Sequence, residues 1–184
     1  MVGLVRTGPY PSRPTRSPST VSPMLIAAIG DTPYNIVLFL HILSAFVAFA
    51  PAFVHPFIGE QSKAVDGSSR AMVFGFLVKN DRRVYAPALI LTGLLGFGLP
   101  SLSEDDSGIA VYEFSDGWII AAIVIWIAMN GVLHAVVVPG ERVVAEGGAA
   151  GEVEAAEKRV AAGGAAVTLL LLVALYLMVF QPGA

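Results

Sequence analysis

Long apolar runs alternate with short polar ones along this chain, and four of the runs are long enough to matter. They cover about residues 34–57 (YNIVLFLHILSAFVAFAPAFVHPF), 84–99 (VYAPALILTGLLGFGL), 118–138 (WIIAAIVIWIAMNGVLHAVVV) and 165–180 (AAVTLLLLVALYLMVF). Each approaches the roughly 20 apolar residues that a helix needs to cross a bilayer core. Backbone donors and acceptors cannot stay unpaired in lipid, so each span is expected to be helical. The predicted fold is all-α: a polytopic membrane protein built as a four-transmembrane-helix bundle over residues 34–182. The fourth helix is expected to begin earlier, within GEVEAAEKRVAAG, where Glu154 and Lys158 sit four residues apart and support helix.

Composition agrees with that pattern. Of 184 residues, 55% are hydrophobic and 14% charged, and the mean hydropathy is +0.73. A soluble domain of this length carries about a quarter charged residues. There is no cysteine, which excludes disulfides, thiolate metal sites, iron–sulfur clusters and cysteine nucleophiles. A net charge of −3 without a Lys/Arg-rich run argues against a nucleic-acid partner. The lipid bilayer is the expected partner.

The charges between spans set a topology. Lys63, Arg70, Lys79, Arg82 and Arg83 fall between the first two spans, and Arg142, Lys158 and Arg159 between the last two. The middle connection, SLSEDDSGIAVYEFSDG, has no Lys or Arg. By the positive-inside rule the first and third connections are cytoplasmic, and both termini are outside. Residues 1–33 form a Pro/Ser-rich tail expected to be disordered. Its three arginines conflict with an outside location, and a physiological start at Met24 would remove the conflict. The segment SSRAMVFGFLVKN has two readings: an interfacial helix on anionic lipid, or an extension of the second span.

Small residues let helices approach in lipid, and three small-residue stripes mark the expected interior. His41, Ala45, Ala48, Ala52 and His55 share one face of the first span, beside Ser44. Ala88, Thr92 and Gly96 follow one another at four-residue spacing in the second, with Gly93 adjacent; Trp126, Asn130 and His134 do so in the third. Phe39, Phe46, Phe49 and Phe53 are expected to face lipid or fill between helices. Ser44, Thr92 and Asn130 are the polar interior positions. The Ala/Gly faces also suit a homodimer or a larger membrane complex. Pro51 and Pro87 are expected to kink their helices, and Pro56 to end the first.

His41, His55 and His134 are the candidate ligands. His41 and His55 lie fourteen positions apart, which keeps them within about 40° of one face and separates them by about 21 Å. That spacing resembles the paired histidines of dihaem cytochrome b helices. Two bis-histidine haems need four histidines, and the chain has three. One haem b, or one metal ion, between His55 and His134 is the ligation reading; Met178 is a second candidate partner for His41. The plainer reading has the histidines bonding across helices to Asn130, Ser44 or Thr92. No carboxylate is expected inside a span: Asp31, Asp116 and Glu141 all fall at edges. The acidic Glu104–Asp106 stretch reads as a solvated loop. There is no HExxH, GxSxG or P-loop motif, so familiar hydrolase and NTPase chemistry is excluded.

The order of FLHIL, APALILTGLLG, VVVPGER and LYLMVFQP resembles the bacterial predicted integral membrane proteins of domain-of-unknown-function family twenty-two sixty-nine. The resemblance runs from about Tyr34 to Pro182 and implies four helices in a bacterial inner membrane. A looser likeness, through the early histidine, reaches copper-resistance and haem-associated four-helix membrane proteins. The expected function is structural or accessory, with no catalytic residues assigned. A haem- or metal-binding redox subunit and a small-solute or ion permease are the alternatives.

Overall fold

The computed structural model describes residues 31–105 and 107–183, so the N-terminal tail and its Met24 start lie outside the described residues. Helix α1 covers Thr32–Ser62, α2 Gly67–Asn80, α3 Ala86–Gly98, α4 Gly117–Val132, α5 Val138–Glu146 and α6 Ala150–Phe180. Wide turns at Asp81–Tyr85 and Leu133–Val137 join α2 to α3 and α4 to α5 without a break. The result is four rods, each long and apolar enough to cross a membrane.

The rods are longer than the apolar runs alone suggest. α1 starts with Pro33 in its first turn, where the missing N–H costs nothing. It then passes through Pro51 and Pro56 and ends at Ser62, so Pro56 does not terminate it as expected. A proline in mid-helix removes one bond, and neighbouring helices hold the rod across the gap. The second rod starts at Gly67, not near Val84. SSRAMVFGFLVKN is thus the extension of that rod and not a separate interfacial helix. Asp66 begins it by accepting hydrogen bonds from the N–H groups of Ser68 and Ser69, which satisfies donors that a helix start leaves open.

Both wide turns have the same cause. The Ala86 N–H reaches back five residues to the Asp81 carbonyl, and the Val138 N–H five residues to Leu133. A proline follows each directly, Pro87 and Pro139. A proline ring crowds the carbonyl four residues back, here Arg83 and Ala135. One extra residue in the turn relieves that clash and lets the rod continue.

The rods pack through small residues. α1 lies mainly on α3, α2 on α5, and α6 on α4, α5 and α1. Leu89, Met129 and Leu171 form the middle of the core, with Ala48, Phe49 and Ala52 against it. Trp118, Ile119, Ala122 and Leu177 close one end, and Phe74, Leu77, Val144 and Ala156 the other. Phe49 thus fills between helices, whereas Phe39, Phe46 and Phe53 point outward. The Ala/Gly stripes are used within the chain: the Gly93 backbone lies against the Trp126 indole, Gly140 against Val160, and Gly163 against Val136 and Val137. Burial is inverted relative to a water-soluble domain. Large aliphatic and aromatic side chains cover the outside, while the largest fully buried side chains are Glu141, Asp81 and Ser103.

Candidate functional site

Two polar groups interrupt the apolar interior. The first is on the half of the bundle near the α3–α4 connection. His41 Nδ1 donates to the Thr92 carbonyl across 2.8 Å, joining α1 to α3. A carbonyl only accepts, so Nδ1 carries a proton. Ser44 Oγ donates to the His41 carbonyl at 2.8 Å and accepts from Thr92 Oγ1 at 2.9 Å. Both hydroxyl residues are buried. The group is self-satisfied and ties two helices together.

The second group is not satisfied. His55 comes from α1, one residue before Pro56. Asp81 opens the first wide turn, and Glu141 follows Pro139 on α5. His55 Nε2 is 3.6 Å from Asp81 Oδ1, and His55 Nδ1 is 3.3 Å from Glu141 Oε1. The imidazole thus stands between two carboxylates, with the Tyr85 ring edge-on at a centroid distance of 5.9 Å. Asp81 is 1% exposed and Glu141 0%. Neither carboxylate has an oxygen with a hydrogen bond of ordinary geometry. One donor atom each from His55, Asp81 and Glu141 falls within 4.8 Å of the others.

Electrostatics makes this arrangement demanding. Removing a carboxylate from water is costly unless it is paired and hydrogen-bonded. Two carboxylates at one site oppose each other's ionisation. One imidazolium can balance only one of them. Arg82 and Arg83 are adjacent in sequence but exposed on the outside of the bundle. The cluster therefore has to take up positive charge, as a proton or as a cation.

Two of the three donors were not expected from the sequence. Asp81 sits in KNDRR, whose polarity reads as a loop, yet it is inside a continuous rod. Glu141, expected at an edge, is fully buried. The usable signal was proline: each acid stands within a few residues of a proline in a run that otherwise continues as helix.

The histidine ligands expected from the sequence are not brought together. His55 is turned to Asp81 and Glu141. His134 is exposed on the outside of the bundle, not on the interior stripe with Trp126 and Asn130. Each four-residue step drifts about 40° round a helix, and His134 is two steps from Trp126. Trp126 Nε1 donates across helices to the Leu89 carbonyl at 2.8 Å, but Asn130 Nδ2 donates to its own helix, at the Trp126 carbonyl. Met178 is partly exposed on α6. A bis-histidine haem b does not fit this arrangement, because its two imidazoles would have to face one iron. In the α3–α4 connection, Asp105 accepts from the N–H groups of Ser107 and Ile109, so its carboxylate shapes the loop.

Compared with protein-family models, with curated proteins and with solved structures, the chain matches none.

Proposed function

We propose that this chain is a multi-pass protein of a bacterial inner (plasma) membrane, related to domain-of-unknown-function family twenty-two sixty-nine. In this reading it has an accessory role, and the His55–Asp81–Glu141 cluster is its functional centre. The observation that carries the reading is the inverted burial: apolar side chains outside, two carboxylates fully buried inside. Lengths support it. From the cluster to the far end of each rod, Asp81 to Leu102, His55 to Thr32 and Glu141 to Gly117, is about 31–36 Å at 1.5 Å per residue. That is close to the ~30 Å of a hydrocarbon core. The cluster then lies at the inner edge of the core.

The cations support the orientation. Among the described residues Lys63, Arg70, Lys79, Arg82, Arg83, Arg142, Lys158 and Arg159 are all level with the cluster or beyond it, towards the α1–α2 and α5–α6 connections. None lies in the opposite half or in the α3–α4 connection. By the positive-inside rule the cluster end faces the cytoplasm and both termini face out. A permease reading is less well supported, because the Ala45–Ala52 stripe separates the His41 group from the cluster.

Single-cysteine labelling tests this, since the chain has no cysteine of its own. In intact spheroplasts a membrane-impermeant maleimide should label Ser107→Cys and leave Ala64→Cys unlabelled until the membrane is opened. Equal labelling of both in closed cells would sink the topology, and recovery of the protein in the soluble fraction would sink the membrane reading.

A further inference from the structure

We infer that His55, Asp81 and Glu141 form a binding site for one divalent first-row transition-metal cation, of the zinc, manganese or iron(II) class. The inference rests on the reading of the cluster as the functional centre and names what that centre takes up.

Three observations converge. Both oxygens of Asp81 and both of Glu141 are buried without a hydrogen-bonding partner. Native proteins rarely leave such groups orphaned, and an ion is one of the few things that explains a pair of them. The donors come from three different rods, so the contact is assembled by the fold and is not a by-product of one helix surface. The donor atoms fall within 4.8 Å of one another; around a tetrahedral ion with bonds of about 2.0–2.2 Å, ligand atoms stand about 3.4 Å apart. Closing on an ion needs the side chains to contract and the imidazole to turn one nitrogen to both carboxylates, which here approach different nitrogens.

The chemical class follows from the donors. One imidazole nitrogen with two carboxylates suits zinc, manganese or iron(II). Copper(I) prefers thiolate and thioether sulfur, and among the described residues no sulfur belongs to the cluster. Calcium and magnesium take all-oxygen shells. A divalent charge also balances two carboxylates around a neutral imidazole, which the imidazolium alone cannot do. Three protein donors leave a fourth position on the ion for water or a ligand.

The test uses the full chain in detergent after chelator treatment, titrated with cobalt(II) as a spectroscopic stand-in for zinc. The expected result is saturation at one equivalent, with visible d–d absorption that zinc then displaces and excess magnesium does not. His55→Ala, Asp81→Asn and Glu141→Gln should each weaken binding by about 100-fold or more, beyond what losing a ligand's supporting contact costs. His41→Ala and His134→Ala should bind as wild type. A wild-type protein with no cobalt spectrum and no zinc-dependent rise in melting temperature overturns the proposal without needing any variant to fold. So does binding that the three cluster variants leave unchanged. In either of those cases a proton compensates the carboxylates, and the membrane topology, read independently by cysteine labelling, is unaffected.

Discussion

Asp81 and Glu141 approach opposite nitrogens of the same imidazole, Asp81 at Nε2 across 3.6 Å and Glu141 at Nδ1 across 3.3 Å. They come from different rods, sixty positions apart in the chain. Two prolines place them. Each wide turn advances its rod by one extra residue; Asp81 opens the first turn beside His55, and Glu141 reaches His55 four residues past the end of the second.

That relationship predicts an unusual sign for a buried substitution. In the metal-free protein two buried carboxyl groups stand against one imidazole. Asp81→Asn leaves one carboxyl group, that of Glu141, beside His55 and keeps the shape of the side chain. A buried polar group without a partner costs about 1–3 kcal/mol, and a charged one more, so the neutral amide carries the smaller of the two costs. The metal-free variant should therefore melt above metal-free wild type near pH 8, measured by thermal unfolding in detergent. Saturating zinc should reverse the order, because only wild type keeps all three donors. A metal-free variant that melts lower would mean that the wild-type carboxylates already hold enough positive charge.

The His41 group should behave as ordinary interhelical glue. Thr92→Val removes the hydroxyl that Ser44 accepts from, yet Ser44 still donates to the His41 carbonyl. No buried donor is orphaned, so the loss should be small, about 0.5–1 kcal/mol. His41→Ala removes the bond to the Thr92 carbonyl and the ring that packs on Gly96. It should cost more, about 1–3 kcal/mol. Equal losses for the two variants would count against this division.

Close approach of the rods depends on particular glycines. A Cβ at Gly163 would stand 2.9 Å from Val137 Cγ2, and one at Gly140 2.7 Å from Val160 Cγ2. At Gly93 it would overlap the Trp126 indole. Alanine at any of the three should destabilise by about 1–3 kcal/mol through overpacking. Gly131 and Gly164 have open space at the same position. Alanine there should be neutral or stabilise by up to about 1 kcal/mol, since glycine is the poorer helix former. Melting temperatures of the five variants decide it.

Much of this was legible in the sequence because long apolar helices announce themselves by length and composition. The stripe from His41 to His55 on α1 lies against the core as its spacing required. Thr92 was a named partner for a histidine, and His41 does bond to its carbonyl. Glu154 and Lys158 pair across 2.8 Å on α6. The cluster was hidden for a physical reason. An apolar-run reading ends a span at the first group of charges, so KNDRR and PGER fell outside the spans. Long-range packing decides whether such residues face water or each other, and no local pattern carries that information. His134 was misplaced for the opposite reason, since a four-residue repeat drifts off its face within two steps.

The start of α2 supplies a pH dependence whose sign is fixed. Asp66 accepts from the Ser68 hydroxyl, from the Ser69 N–H and hydroxyl, and from the Ser68 N–H. These bonds, led by the Ser68 hydroxyl, favour the charged form and hold the carboxyl well below its usual range. A group whose folded value is depressed stabilises fully above its unfolded value of about 3.9, and the contribution is lost as pH falls through the folded value. Asp66→Asn keeps an acceptor at the cap but cannot titrate. The difference in stability between wild type and Asp66→Asn should be constant from about pH 7 to 5 and shrink below about pH 4. Hydrogen exchange at the Ser69 and Arg70 amides reads the first turn of α2 directly. Protection in wild type should drop towards that of the variant in the acid range. A difference that instead grows on acidification would show that the cap bonds do not form with the carboxylate.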